Sequence, residues 1–240
     1  MGVYEGYGRN KELLQDLIMF KSSNGDKYVT LKEYVDRMKE EQKSIYYASG
    51  ESTSRIALLP QVEAVVEHGF EVLYLTEDID EFAVSMLQSY AEKEFINVCN
   101  EKLDLSSDED KENLKKENDK AEEMFEFIKE SLGDTVSKVR FTNTLGSHAV
   151  CLANEGMLSF GMEKVLNKMP GAEGNAMKAE LVLEINLDHP IAGKLLELYE
   201  TDKDKLASYS KILMANARLI SGLSIENPAE VSELICNLMI

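Results

Sequence analysis

The sequence predicts an α/β subdomain followed by an α+β domain that ends in a helical hairpin. Three observations lead to this fold class. Short β-branched and aromatic segments alternate with helical patterns over residues 31–99, a charged stretch follows, and two apolar helical patterns close the chain. At 240 residues with 44% hydrophobic content, the chain is long enough for one large domain or two ordinary ones.

Two helical patterns open the first subdomain. Apolar residues recur at helical spacing over residues 13–18, and Thr30 with Glu33 forms a capping-box signature before the second helix. Three strands follow, at residues 43–49 (KSIYYAS), 71–76 (EVLYLT) and 95–99 (FINVC). The clearest helix between them begins with Asp78 and Glu81. This β-α-β-α-β order, with nearly continuous apolar strands, predicts a parallel sheet joined by right-handed crossovers.

The domain boundary is predicted near residue 108, which gives domains over residues 1–108 and 109–240. Residues 104–123 (DLSSDEDKENLKKENDKAEE) carry almost no apolar residue and are typical of a solvated linker that passes into an exposed helix. In the second domain, an amphipathic helix that Gly133 can end comes first. Strands and one further helix follow, the strands at residues 138–143, 148–154 and 180–186 and the helix at about 190–199.

The closing segment, residues 201–240, predicts a pair of amphipathic helices through which the protein dimerises. The first helix carries two adjacent apolar stripes, and Gly222 can end it. Asn227 can cap the second helix, with Pro228 at its first position. Two helices cannot bury this much apolar surface between themselves. The predicted dimer interface consists of Leu206, Tyr209, Ile212, Leu213, Ala217, Leu219, Ile220, Leu223, Val231, Leu234, Ile235 and Leu238.

Composition argues against several classes of partner. The formal net charge of -18 disfavours both nucleic acid and anionic membrane surfaces. No apolar stretch reaches the roughly 18 residues of a membrane span, and no signal-peptide pattern is present at the start. The cysteines Cys99, Cys151 and Cys236 lie far apart in apolar runs, which predicts buried thiols in a reducing, cytoplasmic compartment.

The sequence predicts no catalytic, cofactor-binding or metal-binding residue. The turn after the first predicted strand, ASGEST, has one glycine where a dinucleotide or phosphate loop needs more. His68, His148 and His189 lack partners at metal-ligand spacing, and His68 before Gly69 suits a helix C-terminus. No serine lies in a nucleophile-elbow motif.

A methionine-rich helical pattern after residue 156 has two interpretations. Apolar residues at helical spacing are ordinarily core, but methionine is flexible and polarizable and suits a surface that accepts many apolar partners. The adjoining PGAEGNA run would let such a helix adjust. Its apolar residues, the predicted client-binding set, are Met157, Leu158, Phe160, Met162, Val165, Leu166 and Met169.

Several strings together resemble the 90-kDa heat-shock chaperone family in its bacterial form, high-temperature protein G. They are GRNKELLQDLIMF, YVTLKEYVDRMKEEQKSIYYASGES, LPQVEAVVEHGFEVLYLTEDIDEFAV, VSKVRFTNTL, LEINLDHPIAGKL and ARLISGLSIENPAEVSELICNLM, and they run co-linearly through the chain. The resemblance implies that residues 1–108 are the last α/β subdomain of the family's middle region and that residues 109–240 are its dimerisation domain.

The resemblance also implies what the chain does. In the family, terminal helices of two protomers form a four-helix bundle, and the counterpart of the methionine-rich helix projects into the dimer cleft toward client proteins. The ATP-binding domain of the family, which uses ATP and Mg, precedes the matched region, so we expect a fragment that is not itself an enzyme and holds no cofactor. The chain ends in NLMI, so the co-chaperone recruitment motif of eukaryotic cytosolic members is not implied.

Three hypotheses of function follow. The leading one is a chaperone fragment that forms homodimers and binds unfolded or partly folded client proteins. The alternative is a small-molecule-binding or enzymatic α/β domain with a structural dimerisation tail, whose site would lie at the carboxyl ends of the strands at 43–49 and 71–76. The third is a dimerisation tail without client contact.

Overall fold

The computed structural model describes residues 9–100, 103, 105, 107–156, 158–168 and 178–239. These residues form two compact units. One unit takes its residues from 1–103 and 156–179, and the other from 104–155 and 180–240. The sequence predicted a single boundary near residue 108, and it did not predict that residues 156–179 belong to the first unit.

The strands form two sheets. The first has six strands in the order β2-β1-β4-β3-β6-β5, and the second has three in the order β7-β9-β8. Their bounds are β1 Met19–Ser22, β2 Gly25–Thr30, β3 Ile45–Ser49, β4 Val72–Leu75, β5 Ser89–Tyr90, β6 Lys93–Asn97, β7 Lys138–Thr142, β8 Val150–Glu155 and β9 Glu180–Asn186.

The helices occupy both units. Their bounds are α1 Lys11–Leu14, α2 Leu31–Arg37, α3 Thr53–Ile56, α4 Pro60–Glu67, α5 Asp80–Leu87, α6 Asp108–Lys120, α7 Glu122–Leu132, α8 Phe160–Lys168, α9 Pro190–Thr201, α10 Lys203–Ile220 and α11 Pro228–Asn237. Among the described residues, no helix is both long and apolar enough to span a bilayer.

The first sheet is mixed, not parallel as the sequence predicted. Strand β3 pairs in parallel with β4 and β6, but β1, β2 and β5 all pair antiparallel. The prediction missed the β1–β2 hairpin because its outer strand is largely exposed and lacks an apolar pattern. Gly25, with φ of 130°, provides the backbone conformation that the turn between the two strands requires.

The core of the first unit forms around the inner strands. Phe20, Leu31, Ile45 and Leu73 are buried together between the sheet and its helices. The predicted capping box at the start of α2 is confirmed, because the Glu33 amide donates to Thr30 Oγ1 at 3.2 Å and the Thr30 amide donates to Glu33 Oε2 at 2.8 Å. This cap fixes where α2 begins on the sheet.

In the second unit, helices cover the three-stranded sheet. Helices α7 and α10 pack on β7 and β8, and Phe125 meets Phe141 edge-on with ring centroids 4.9 Å apart. Gly133, with φ of 62°, ends α7 as predicted. Arg140 of β7 pairs with the buried carboxylate of Glu184 on β9, and its Nε donates to Glu184 Oε1 at 3.0 Å.

The positions of His68 and of the three cysteines can be compared with the sequence predictions. His68 is the C-cap of α4, where its Nδ1 lies 2.7 Å from the Ala64 carbonyl oxygen, as the sequence suggested. Cys151 is buried and Cys99 half-buried, but Cys236 is exposed. The prediction of a buried thiol is therefore wrong for Cys236, because within this chain α11 buries none of its residues.

Candidate functional site

The two closing helices are capped as the sequence predicted. Asn227 Oδ1 accepts a hydrogen bond of 3.2 Å from the Glu230 amide, and Pro228 occupies the first position of α11. Asp202 caps α10 by accepting from the Lys205 amide at 3.0 Å. Gly222, with φ of 71°, follows the end of α10 and allows the chain to turn toward α11.

One side of α10 belongs to the core of its own unit. Leu206, Leu213 and Ala217 are buried there, where α10 packs on α7, α9 and β8. These three residues lie on the first of the two stripes that the sequence showed. They contribute to folding of the unit and are inaccessible to a second chain in this structure.

Other parts of the two closing helices leave apolar surface open. Leu219 is 60% exposed and Leu238 is 47% exposed. The remaining residues predicted for the dimer interface are half-buried, namely Tyr209, Ile212, Ile220, Leu223, Val231, Leu234 and Ile235. The predicted interface therefore divides into a group that packs within the chain and a larger group that stays accessible.

Polar contacts join α10 to α11 and to the loop between the two helices. Lys211 Nζ lies 2.6 Å from Glu230 Oε1, and Arg218 contacts both Glu226 Oε1 at 3.0 Å and the Ser224 carbonyl oxygen at 2.6 Å. Most of these groups are well exposed, so solvent screens the ion pairs and each contributes little. An isolated helix of this length is marginal in water, and more apolar contact would stabilise it.

The methionine-rich helix α8 packs on the first unit through one face. Met162 is only 9% exposed, whereas Leu158, Phe160, Val165 and Leu166 are half-buried. The other two members of the predicted client-binding set, Met157 and Met169, lie outside the described residues. Within the described part of the helix, one side is core and the rest borders solvent.

A buried carboxylate lies beneath the start of α8. Glu81 on α5 is 4% exposed, and it accepts hydrogen bonds from Ser159 Oγ at 2.6 Å and from Asn97 Nδ2 at 3.2 Å. Burial raises the pKa of Glu81 above its usual value, and the polar groups around it, Ser159 foremost, oppose that rise.

Sequence reasoning assigned Glu81 a different role. It was expected to cap the start of its helix together with Asp78. The N-cap residue of α5 is Ile79, which offers no side-chain cap. Asp80 Oδ2 accepts a hydrogen bond of 3.0 Å from the Glu77 amide instead. Glu81 therefore faces inward. No sequence signal distinguished the two roles, since an acidic residue in the first turn of a helix is ordinary.

Gly161 allows α8 to approach this carboxylate closely. A Cβ atom at position 161 would overlap Glu81 Oε2 and would lie 3.1 Å from Ser49 Oγ. Ser159 Oγ also accepts from the Met162 amide at 3.1 Å, so one hydroxyl both starts α8 and binds Glu81. The first turn of α8, where the helix dipole is positive, thus lies on a carboxylate.

The first turn of α8 lies where the hypothesis of a small-molecule-binding α/β domain placed its ligand. Ser49 ends β3, and the first turn of α8 lies against it at the carboxyl end of the sheet. In an open α/β sheet that end is the usual ligand crevice. Here the chain's own helix lies in that position, which disfavours a small-molecule site. Within the described residues, no group of three His, Cys, Asp or Glu side chains is arranged to hold a metal ion.

Comparison with known proteins decides the family. The model of the family described as Hsp90 protein matches residues 1–240. The chain belongs to the Hsp90 family. Among its relatives are proteins named chaperone protein HtpG from Clostridium botulinum strain 657, 52% identical over 239 residues, and from Bacillus subtilis strain 168, 48% identical over 239 residues. The HtpG of Clostridium acetobutylicum is 49% identical over 238 residues.

The matched region is part of a longer sequence in these Hsp90 relatives. Each alignment covers 99% or 100% of this chain but 38% of the relative. The resemblance that the sequence strings suggested is confirmed, and it extends over the whole chain. The activity of the full-length relatives is not assigned to these residues by the match.

Proposed function

We propose that this chain supplies the homodimerisation surface and part of the client-binding surface of an Hsp90-type chaperone. One observation carries the first part of the proposal. Helix α11 has regularly spaced apolar residues, yet none of its residues is buried within the chain. A second copy of the chain can cover this helix and the exposed end of α10 in a bundle of four helices.

The client-binding part is supported by α8. Its half-buried residues Val165 and Leu166 border solvent next to buried Met162, and chaperone relatives match the chain throughout. Flexible side chains of this kind accommodate apolar partners of different shapes. We assign no ATP-dependent step to these residues, and we propose that ATP and Mg bind elsewhere in proteins of the HtpG type. A cytoplasmic location remains the prediction from the cysteine pattern.

The dimer is tested by molar mass in solution. Deleting everything after residue 200 would remove Leu206, Leu213 and Ala217 from the core, so we prefer substitutions at exposed positions. We expect the parent chain to be a dimer by light scattering and the Leu219→Glu/Leu238→Glu variant to be monomeric, with an unchanged circular dichroism spectrum. Leu58→Glu, at an exposed leucine of the other unit, is the matched control and should remain dimeric. A monomeric parent chain at micromolar concentration would refute the proposal.

A further inference from the structure

We propose that Glu81 is a latch that holds helix α8 docked on helix α5, and that opening this contact releases α8 to bind a partner protein. The docking contact is inferred from the geometry of the first unit alone. The consequence for partner binding rests on the proposed function of α8 as a client-binding helix.

The contact is concentrated on one carboxylate. Ser159 Oγ at 2.6 Å and Asn97 Nδ2 at 3.2 Å donate to Glu81, and the same Ser159 hydroxyl accepts from the Met162 amide in the first turn of α8. Hydrogen bonds to an ionised group are about twice as strong as neutral ones. The absence of a side chain at Gly161 is what lets the helix reach this distance.

The rest of the docking surface is weak. Lys164 pairs with Glu51 at 3.1 Å, but more than half of each side chain is exposed and the pair is screened by water. Of the described α8 residues, Met162 alone is buried. Burial of the Glu81 charge opposes docking, while its hydrogen bonds favour it. Because these two contributions to the docking free energy oppose each other, the contact between α8 and Glu81 can open without unfolding of the sheet.

Docking controls which apolar atoms are available. In the docked state Met162 faces the unit interior at 9% exposure, so a partner protein reaches only the half-buried margin of the helix. Release would present Met162 together with Val165 and Leu166 on one accessible surface. The latch therefore acts as an autoinhibitory contact for the proposed client site.

Gly161→Ala tests the latch in the full chain. The new methyl group overlaps Glu81 Oε2 only when α8 is docked, whereas alanine favours the helix itself relative to glycine. Gly193→Ala is the matched control, because it is also a helical glycine and a Cβ there meets no atom within 4 Å. The readout is hydrogen exchange at the amides of residues 162–168, measured by mass spectrometry of short peptides.

We expect exchange in this peptide to accelerate about tenfold in Gly161→Ala, the effect of losing at least one charge-assisted hydrogen bond. Ser159→Ala, which removes one donor to Glu81 and the cap of α8, should accelerate it in the same direction. Gly193→Ala should leave it unchanged. If Gly161→Ala and Ser159→Ala both exchange at the wild-type rate, the latch does not exist.

Client capture separates the two proposals. If α8 is the client site, Gly161→Ala should suppress aggregation of a chemically denatured model protein, such as citrate synthase, at a lower chain concentration than the wild type. Faster exchange without a change in aggregation would keep the latch and refute client binding by α8. Unchanged exchange with aggregation that depends on Val165 and Leu166 would refute the latch and keep the client site.

Discussion

The hydroxyl of Tyr34, on α2, donates a hydrogen bond of 2.6 Å to the backbone carbonyl of Glu71, just before β4 begins. The same oxygen accepts from the Tyr46 amide at 3.0 Å and from Gln42 Nε2 at 2.9 Å. Tyr34 is completely buried. One phenol therefore forms hydrogen bonds with polar groups from three segments of the chain.

Tyr34→Phe should destabilise the first unit by about 1–3 kcal/mol, since it removes the buried hydrogen bonds of the hydroxyl to the Glu71 carbonyl oxygen and the Tyr46 amide. Urea unfolding monitored by circular dichroism measures the loss. Tyr28→Phe, at a tyrosine that is 63% exposed, should change the free energy of unfolding by less than about 0.5 kcal/mol. Equal stability of the two variants would show that the hydrogen bonds of Tyr34 contribute nothing.

The ion pair between Arg140 and Glu184 offers a test of buried charge in the second unit. Arg140→Met leaves the carboxylate of Glu184 buried without its cation and should cost about 3 kcal/mol. The double variant Arg140→Met/Glu184→Met removes both charges and should be more stable than Arg140→Met alone. Chemical denaturation of the wild type and the three variants of a double-mutant cycle gives the coupling free energy. A double variant less stable than Arg140→Met would contradict this expectation.

Substitutions on α8 separate its core side from its outer side. Val165→Glu/Leu166→Glu places charge at half-buried positions and should weaken suppression of client aggregation while thermal unfolding changes little. Met162→Glu places a charge at a buried position and should lower the midpoint of thermal unfolding. Retained client capture in the Val165 and Leu166 variant, with folding intact, would argue against α8 as the client site.

The buried carboxylate of Glu81 predicts a pH dependence of stability. Its pKa is raised in the folded chain relative to the usual 4.5, so the folded state binds this proton more tightly than the unfolded state. The contribution of Glu81 to stability should therefore increase as the pH falls through its raised folded pKa, and it should level off below about 4.5.

Glu81→Gln isolates this contribution because it removes one titrating group. The difference in unfolding free energy between wild type and Glu81→Gln should shift in favour of the wild type as the pH is lowered toward 4.5. A difference that stays constant with pH would mean that the Glu81 pKa is unshifted.

Several local signals in the sequence predicted the structure correctly, but the expected cap of α5 and the long-range contacts were not predicted. The caps at Thr30 and Asn227 and the helix end at Gly133 depend on residues within one turn, so their sequence signatures suffice. The inward position of Glu81 depends on Ser159, 78 residues away, and no local pattern encodes that pairing. The hairpin before α2 was missed for a third reason, since an exposed strand carries little hydrophobic pattern.

Sequence patterns also did not predict which parts of the closing helices are buried and which are accessible. Sequence periodicity found both apolar stripes of α10, but it gave no reason to choose which one packs within the chain. The structure places Leu206, Leu213 and Ala217 in the core because α7, α9 and β8 surround that side. Which residues contact a second copy remains a prediction until the molar mass of the Leu219 and Leu238 variant is measured.

Glu155 and Glu180 are neighbours in the second sheet although 24 residues separate them in the sequence. Strands β8 and β9 pair up to Glu155 and Glu180, the residues that flank the intervening segment on either side. A tight turn could join these two residues, and the entropy of closing a loop changes only slowly with its length. The sequence between these residues, which includes α8, can therefore change in length with little effect on the pairing of β8 with β9.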